Sequence, residues 1–225
     1  MSGEPFEDVS AGEPAVRGVL HRAEGGAGDG LVLAHGAGSD HTAPLLVALA
    51  GAFSAAGITV LRCDLPYRQA RRTGPPPRGA AAADQAGLGR AAHVLRRVAP
   101  GRLLLGGHSY GGRQASMLAA VDPAVADALL LLSYPLHPPD RPAAARTAHL
   151  LDLRVPALVV HGAADPFATS EELAAALALI PAATRMLDLP GAGHDLFHGR
   201  RGPRAAGAVA RIVAAFLSFL DALRA

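Results

Sequence analysis

Residues 102–117 read R-L-L-L-G-G-H-S-Y-G-G-R-Q-A-S-M, an apolar run that leads through a glycine-rich turn into a helical pattern. Within this stretch, Gly107 to Gly111 fits the pattern G-x-S-x-G, which places a serine on a sharp turn between a strand and a helix. The glycines allow the backbone to approach its neighbours closely, and the N-terminus of the following helix favours negative charge beside the serine. With 26 glycines in the chain the pattern alone is weak, so its position between strand and helix carries the interpretation. Ser109 is therefore the candidate nucleophile of an enzyme.

An acid and a histidine follow Ser109 along the chain, each directly after a predicted strand. Asp165 lies in the loop after the apolar run at 157–161, and His194 lies in the loop after 184–189. Because the carboxyl ends of parallel strands meet at one edge of a sheet, we expect the three side chains to lie together. Ser109 would then attack, His194 would act as its general base, and Asp165 would orient the imidazole.

Two other residues could in principle replace members of this set. His198 is the only rival to His194, but it lacks the glycine turn that precedes His194. Cys63 lies inside a predicted strand rather than at a turn, so packing in the core is the better interpretation of its thiol. Taken singly, Asp165 and His194 would be ordinary loop residues, and it is their order after the serine that favours catalysis.

Hydrolysis through a serine also needs donors for the developing oxyanion. The backbone N–H of Tyr110, which follows the nucleophile, is one candidate. The second is the N–H of Ala37, in the loop after the first long strand, where Gly36 and Gly38 would let the backbone approach a substrate carbonyl. Without a substrate, the same loop would simply be a tight connection between a strand and a helix.

Three further residues are expected to line a substrate pocket, namely His108, Arg113 and Gly36. Arg113 lies one helical turn after the nucleophile, where it could hold a carboxylate, although a structural ion pair with Asp64 is an equal alternative. His108 and Tyr110 flank the serine and could equally serve packing. The histidines in loops lack the spacing of metal ligands, so we expect neither a metal nor an organic cofactor.

Short apolar runs alternate with longer helical patterns along the chain, which predicts an open α/β sheet with mostly parallel strands and helices on both faces. Several runs are continuously apolar, as in strands that are buried on both faces. One domain over residues 1–225 suffices, with residues 1–14 as a flexible N-terminal segment and 68–79 as a surface loop. The predicted strands are 16–21, 31–35, 58–63, 102–106, 128–133, 157–161 and 184–189, and the predicted helices lie near 42–56, 80–98, 110–121, 169–179 and 204–223.

Composition and charge exclude several classes of protein. The 225 residues are 50% hydrophobic and 18% charged with one cysteine, so neither disorder nor a disulfide framework is expected. The net charge is only +2 and every basic residue is arginine, a bias that suggests a bacterial genome rich in G and C rather than nucleic-acid binding. The uncharged stretch 44–61 is broken by glycines, and no signal-like segment opens the chain, so we expect no membrane association and a cytoplasmic protein. Its partner would be a small-molecule acyl substrate.

Six short stretches, among them those that carry Ser109, Asp165 and His194, resemble the α/β-hydrolase superfamily. The likeness covers roughly residues 16–223. More narrowly, they resemble a small group of dienelactone-hydrolase-like predicted hydrolases, which includes the hydrolase-like domain of a regulatory subunit of the animal NSL histone-acetyltransferase complex. The resemblance implies serine hydrolysis through an acyl-enzyme that cleaves a carboxylic ester, thioester or related acyl bond. The narrower group also leaves open a catalytically idle scaffold that binds a protein partner. The matching stretches are 35–38, 62–68, 106–113, 134–139, 161–167 and 193–194.

The chain is short for this superfamily. Many members insert a cap domain between the strand that would end near Ser133 and the strand that would begin near Val155. Here that gap is about twenty residues, too short for a helical cap domain. We therefore expect an open site that accepts small acyl groups or the exposed end of a larger molecule.

Overall fold

The protein is built on a sheet of eight strands, which a computed structural model describes over residues 3–9, 14–24, 28–196 and 203–224. The strands are β1 (Glu4–Asp8), β2 (Val16–His21), β3 (Gly30–Ala34), β4 (Thr59–Cys63), β5 (Leu103–His108), β6 (Ala128–Leu132), β7 (Ala157–Gly162) and β8 (Thr184–Leu189). The helices are α1 (Pro44–Ala55), α2 (Pro66–Ala70), α3 (Ala81–Val98), α4 (Tyr110–Val121), α5 (Ser170–Leu177) and α6 (Pro203–Ala222), with two short 3-10 turns at Pro123–Val125 and Ala148–Asp152.

The strands lie in the order β1-β2-β4-β3-β5-β6-β7-β8 across the sheet. The strands from β4 to β8 in this order pair in parallel, whereas β1 and β2 are antiparallel to their neighbours. Seven of these strands match the predicted ones to within two residues at either end. The prediction of a mostly parallel α/β sheet is therefore confirmed.

Helices cover both faces of the sheet, which explains why its central strands read as continuous apolar runs. Along β6, Leu129 and Leu131 join a core cluster with α3, α4 and α5, while Leu130 and Leu132 join a second cluster with α1 and α6. The uncharged stretch 44–61 is divided between α1 and β4, and no helix of the described residues is long and apolar enough to span a membrane.

No cap domain lies between β6 and β7. Residues 133–156 form an irregular connection whose only helical element is the 3-10 turn at Ala148–Asp152. Most of the segment 138–147 is exposed. The carboxyl ends of the parallel strands therefore remain uncovered by an inserted domain, as the length of the chain predicts.

The N-terminal segment departs from the sequence prediction, because residues 4–8 form β1 instead of a flexible end. β1 pairs antiparallel with β2, and Phe6 packs against the core. On the exposed side, Glu7 and Glu4 form ion pairs with Arg17 and Arg22 of the neighbouring chain segment, at 2.8 and 2.9 Å. The rest of the predicted segment includes residues 1–2 and 10–13, which lie outside the described residues.

The predicted surface loop at 68–79 is also only partly a surface loop. Residues 71–79 are mostly exposed, but Arg68 belongs to α2 and is 6% exposed. Its guanidinium donates hydrogen bonds to the carbonyl oxygens of Ser39 at 2.8 Å and Gly74 at 2.9 Å. These backbone oxygens therefore accept hydrogen bonds from a guanidinium that the sequence places on the surface.

Candidate active site

Ser109 lies in the turn that joins β5 to α4, with φ 51° and ψ −114°. Positive φ is strained for a residue with a side chain, and such strain is concentrated at functional sites. The turn presses on the end of β3, where a Cβ at Gly107 would lie 2.5 Å from Ala34 O and one at Gly111 would lie 2.6 Å from His35 O. Glycine is therefore required on both sides of Ser109 for close packing.

The three side chains that the sequence predicts to act together are in contact. The Ser109 Oγ atom lies 2.8 Å from His194 Nε2, and His194 Nδ1 lies 2.8 Å from Asp165 Oδ2. A neutral imidazole with its proton on Nδ1 satisfies both contacts, since it donates to the carboxylate and accepts from the hydroxyl. The arrangement can therefore move a proton from the serine to the imidazole.

The acid of this set is fixed by its surroundings. The Asp165 side chain is fully buried, whereas that of His194 is 25% exposed. The second carboxylate oxygen of Asp165 accepts a hydrogen bond from the backbone N–H of Phe167 at 2.9 Å. Both oxygens thus have a donor, which orients the carboxylate toward the imidazole. The loops that carry the two residues are joined directly, because the N–H of Ala164 donates to Ala192 O at 2.8 Å.

The imidazole of His194 lies between two rings. The ring of Phe167 is 4.4 Å from it between centroids, and that of His108 is 5.0 Å from it. His108 Nε2 also lies 2.7 Å from the backbone oxygen of His194. Burial lowers the pKa of His108, so its ring is neutral with the Nε2 proton donated to this carbonyl. His108 thus contacts His194 directly. Phe167, which carries the other of the two rings, was not among the site residues predicted from the sequence.

The loop after β3 lies beside Ser109, as expected for the second oxyanion donor. A Cβ at Gly36 would lie 3.6 Å from Ser109 Cβ and 3.0 Å from His108 Nδ1. Among the hydrogen bonds of the described residues, none is donated by the backbone N–H of Ala37 or Tyr110. At Tyr110 this is expected, because the first N–H groups of a helix have no partner within it.

Arg113 does not pair with Asp64, so that alternative is wrong. Asp64 Oδ1 and Oδ2 accept hydrogen bonds from the N–H and Nδ1 of His41, at 2.8 and 2.9 Å. Asp64 follows β4, and β3 lies between that strand and the β5–α4 unit that carries Arg113. Among the described residues, Arg113 forms no salt bridge, and its buried Nε atom has no hydrogen-bond partner.

The surroundings of Arg113 are otherwise cationic or neutral. Burial, and to a smaller extent the charge of Arg113, lower the pKa of Arg146. Burial and the charge of Arg113 lower the pKa of His149 to about 4. The hydroxyl of Ser116 donates to Arg113 O, and it therefore accepts the proton of neutral His149 Nε2 at 2.9 Å. A guanidinium without an acidic partner among the described residues can take a negatively charged group.

Two further expectations from the sequence concern His198 and a metal site. His198, the rival to His194, lies outside the described residues. Within the described part of the chain, no group of three or more His, Cys, Asp or Glu side chains is placed to hold a metal ion.

Comparison with known proteins gives one family and many similar folds. The family model of the alpha/beta hydrolase domain matches residues 27–221. No curated protein sequence matches the chain. A dienelactone hydrolase from Anabaena variabilis is 22% identical, with 96% of this chain and 97% of that chain covered and a TM-score of 0.72. An alpha-beta serine hydrolase homologue from Coxiella burnetii is 18% identical, with 96% and 98% covered and a TM-score of 0.74.

A third similar structure is described as having no lid. The protein XC6422 from Xanthomonas campestris, described as a member of the a/b serine hydrolases without lid, is 19% identical, with 96% of this chain and 95% of that chain covered and a TM-score of 0.68. At these identities the likeness concerns the fold. The family match spans most of the chain, and the chain therefore belongs to the alpha/beta hydrolase domain family.

Proposed function

We propose that this protein is a serine hydrolase that cleaves a carboxylic ester, thioester or related acyl bond through an acyl-enzyme on Ser109. The observation that carries the proposal is the unbroken chain of hydrogen bonds from Ser109 Oγ through His194 to Asp165, at 2.8 Å in both steps. It lies at a strained turn, in a chain whose family is a hydrolase family. Geometry of this kind is how the triad is recognised on unrelated sequences.

Acylation follows from these contacts. His194 Nε2 takes the hydroxyl proton as Ser109 Oγ bonds to the acyl carbon, and the carbonyl electron pair moves onto the oxygen. Asp165 stabilises the resulting imidazolium and stays ionised. The N–H groups of Ala37 and Tyr110 donate to the oxyanion, and the N-terminus of α4 adds a favourable dipole.

Collapse of the first tetrahedral adduct completes acylation, and deacylation then uses the same groups with water as the nucleophile. When the tetrahedral adduct collapses, the bond to the leaving alkoxide or thiolate breaks, and His194 returns its proton to that group. A water molecule then attacks the acyl carbon while His194 removes its proton. Breakdown of the second adduct releases the carboxylic acid and restores the Ser109 hydroxyl.

The substrate we propose is a small acyl compound with a negatively charged end. The uncapped site favours small molecules, and one similar structure is named a dienelactone hydrolase. Arg113, with its unpaired buried Nε, lies one helical turn from Ser109 and would bind the negative group of the substrate. Gly36 and His108 would line the cleft beside the acyl carbon.

A fluorophosphonate probe tests the proposal, because it phosphonylates only a serine that a base activates. We expect wild-type protein to be labelled and Ser109→Ala protein to remain unlabelled. His194→Ala should also abolish turnover of p-nitrophenyl acetate, whereas His198→Ala should retain it. Absence of labelling in folded wild-type protein would instead support an idle scaffold, and loss of turnover only in His198→Ala would reassign the base.

A further inference from the structure

Asp84 is a buried carboxyl group that the proposed mechanism does not use. It lies in the first turn of α3 and is 0% exposed. Among the described residues no arginine or histidine forms an ion pair with it, and burial raises its pKa. Burial of a carboxyl group is unfavourable unless donors satisfy it. Two donors satisfy it, and both belong to residues near the proposed oxyanion site.

The first donor connects Asp84 to the residue after the nucleophile. The hydroxyl of Tyr110 donates to Asp84 Oδ2 at 2.7 Å. This bond ties the side chain of Tyr110 to α3, although its backbone is the first residue of α4. The N–H of Tyr110 is one of the two proposed oxyanion donors, so Asp84 fixes the residue that carries it.

The second donor connects Asp84 to the loop after β3. The backbone N–H of Tyr67 donates to Asp84 Oδ1 at 3.1 Å. The hydroxyl of Tyr67 lies 2.9 Å from Ala37 O and 3.2 Å from Gly36 O, and can donate its one proton to either. The ring of Tyr67 also meets that of Tyr110 edge to face, with centroids 5.8 Å apart. Tyr67 thus joins both halves of the site.

The carbonyl of Gly36 determines the direction of the Ala37 N–H, because both belong to one planar trans peptide and point in opposite directions. That carbonyl accepts hydrogen bonds from His35 Nδ1 at 2.8 Å and from the N–H of Ser39 at 3.2 Å, in addition to the contact with Tyr67. The acceptor side of the peptide is therefore held inside the protein, and its N–H is directed away from these donors.

We propose that Asp84 is a positioning residue that holds both oxyanion donors, the N–H of Tyr110 and the N–H of Ala37, through Tyr110 and Tyr67. The two donors belong to different elements, so no single piece of backbone fixes their separation. Donors fixed in advance stabilise the oxyanion without reorganisation during the reaction. The inference rests on the proposed function, since Asp84 itself touches neither substrate nor Ser109.

The test compares Asp84→Asn and Tyr67→Phe with wild-type protein, using p-nitrophenyl acetate and a phenyl trifluoromethyl ketone. Ser109 Oγ adds reversibly to the ketone, whose oxygen becomes an oxyanion in the same place. We expect each variant to lower kcat about tenfold or more, to change KM less than about twofold, and to weaken ketone binding by a similar factor. Adding Tyr110→Phe to Asp84→Asn should cost little more, because both act through one contact.

Ser54→Ala is the matched control for loss of a buried hydrogen bond. The Ser54 hydroxyl donates to the backbone oxygen of Arg22 at 2.6 Å, near the C-terminal end of α1 and thus at the opposite edge of the sheet. We expect this variant to lower Tm and to leave kcat and ketone binding unchanged. If Asp84→Asn and Tyr67→Phe also lower Tm and leave kcat and ketone binding unchanged, the role of both residues is structural and the inference is wrong.

The outcomes also separate this inference from the proposed function. If Asp84→Asn does not fold, Tyr110→Phe decides, because it keeps the carboxylate and removes the hydroxyl that links it to the residue carrying one oxyanion donor. Wild-type protein that hydrolyses the ester and binds the ketone, together with variants that match it, overturns the inference alone. Wild-type protein that does neither overturns the proposed function and the inference with it.

Discussion

His108 Nε2 lies 2.7 Å from the backbone oxygen of His194, so the residue before the proposed nucleophile holds the backbone of its proposed base. The contact links the β5–α4 turn to the loop after β8. It also fixes the proton of His108 on Nε2, since burial lowers the pKa of that ring and keeps it neutral.

This contact predicts that His108→Phe impairs catalysis without removing any reacting group. Phenylalanine keeps the ring beside His194 but has no donor for the carbonyl, so the loop that carries His194 loses one of the contacts that fix it. We expect kcat for p-nitrophenyl acetate to fall roughly 10- to 100-fold with little change in KM. His108→Gln, whose amide can donate, should recover part of the loss, and wild-type kcat in His108→Phe would refute the role of the bond.

The close approach of Gly36 to the nucleophile predicts a steric effect. In Gly36→Ala the new Cβ would lie 3.0 Å from His108 Nδ1 and 3.6 Å from Ser109 Cβ. The His108 ring or the loop with Ala37 must then shift by a few tenths of an ångström, and we expect kcat/KM and the rate of fluorophosphonate labelling to fall at least about tenfold.

Gly51→Ala is the control for this substitution, because a Cβ at Gly51 in α1 meets nothing within 4 Å. We expect unchanged kcat/KM and a free energy of unfolding that rises by about 0.5–1 kcal/mol, since alanine favours a helix. Equal activities of the two variants would show that Gly36 does not restrict the site.

Arg113 has no acidic partner among the described residues, and its buried Nε has no hydrogen-bond partner, which predicts a preference for acidic substrates. The p-nitrophenyl monoester of glutaric acid and p-nitrophenyl valerate have acyl chains of equal length and differ in charge at the far end. Arg113→Gln should lower kcat/KM for the glutarate ester about tenfold and leave the valerate ester nearly unchanged, because only the first substrate loses an ion pair.

Arg141→Gln serves as the charge control, since Arg141 is exposed and, among the described residues, its one ion pair is with the neighbouring Asp140 at 3.8 Å. This substitution also removes one positive charge, here from the connection between β6 and β7. A general electrostatic effect would lower kcat/KM for the glutarate ester in both variants alike. If Arg113→Gln leaves the ratio of the two esters as in wild type, Arg113 does not bind the substrate.

The lowered pKa of His149 predicts a pH dependence of stability. Burial and Arg113 lower this pKa from 6.5 to about 4 in the folded protein. Between these values the unfolded chain binds more protons, so the folded state loses stability as the pH falls from 6.5 toward 4. In urea unfolding at pH 7, 6, 5 and 4.5, His149→Gln should make the free energy of unfolding fall less steeply with falling pH. The difference in slope is at most that of one bound proton, about 1.4 kcal/mol per pH unit. Identical slopes of the free energy of unfolding against pH in wild-type and His149→Gln protein would contradict this prediction.

The elements that carry Ser109, Asp165 and His194 could be predicted because each depends on local sequence. Continuous apolar runs identify strands that are buried on both faces, and their carboxyl ends place loop residues at one edge of the sheet. The turn around Ser109 was recognisable from its glycines, which the structure shows in contact with the end of β3.

Features that depend on distant partners were missed. Glu4 and Glu7 read as a polar end of the chain, because the arginines that pair with them across β1 and β2 are not apparent in a local window. Arg68 reads as a solvent-exposed cation, but backbone oxygens of two other segments receive it.

Asp84 was missed although a signal was present. It lies on the same buried face of α3 as Leu88, Ala91 and Leu95, at the spacing of an amphipathic helix, where an acidic residue is unexpected. Such a position indicates that a buried donor must meet the carboxyl group. Which donors do so depends on the packing of α3 against the turn at Tyr110 and on the position of Tyr67, and no sequence pattern contains either.

The loops of Asp165 and His194 touch through their backbones, with Ala164 N–H bound to Ala192 O and a Cβ at Gly162 only 2.3 Å from Gly193 O. An insertion in either loop would separate the carboxylate from the imidazole, so we expect related genes to keep the length of both. Sequence changes that alter which compounds such proteins accept should instead accumulate in the exposed segments 71–79 and 138–147. Residues can be added there without moving the reacting groups.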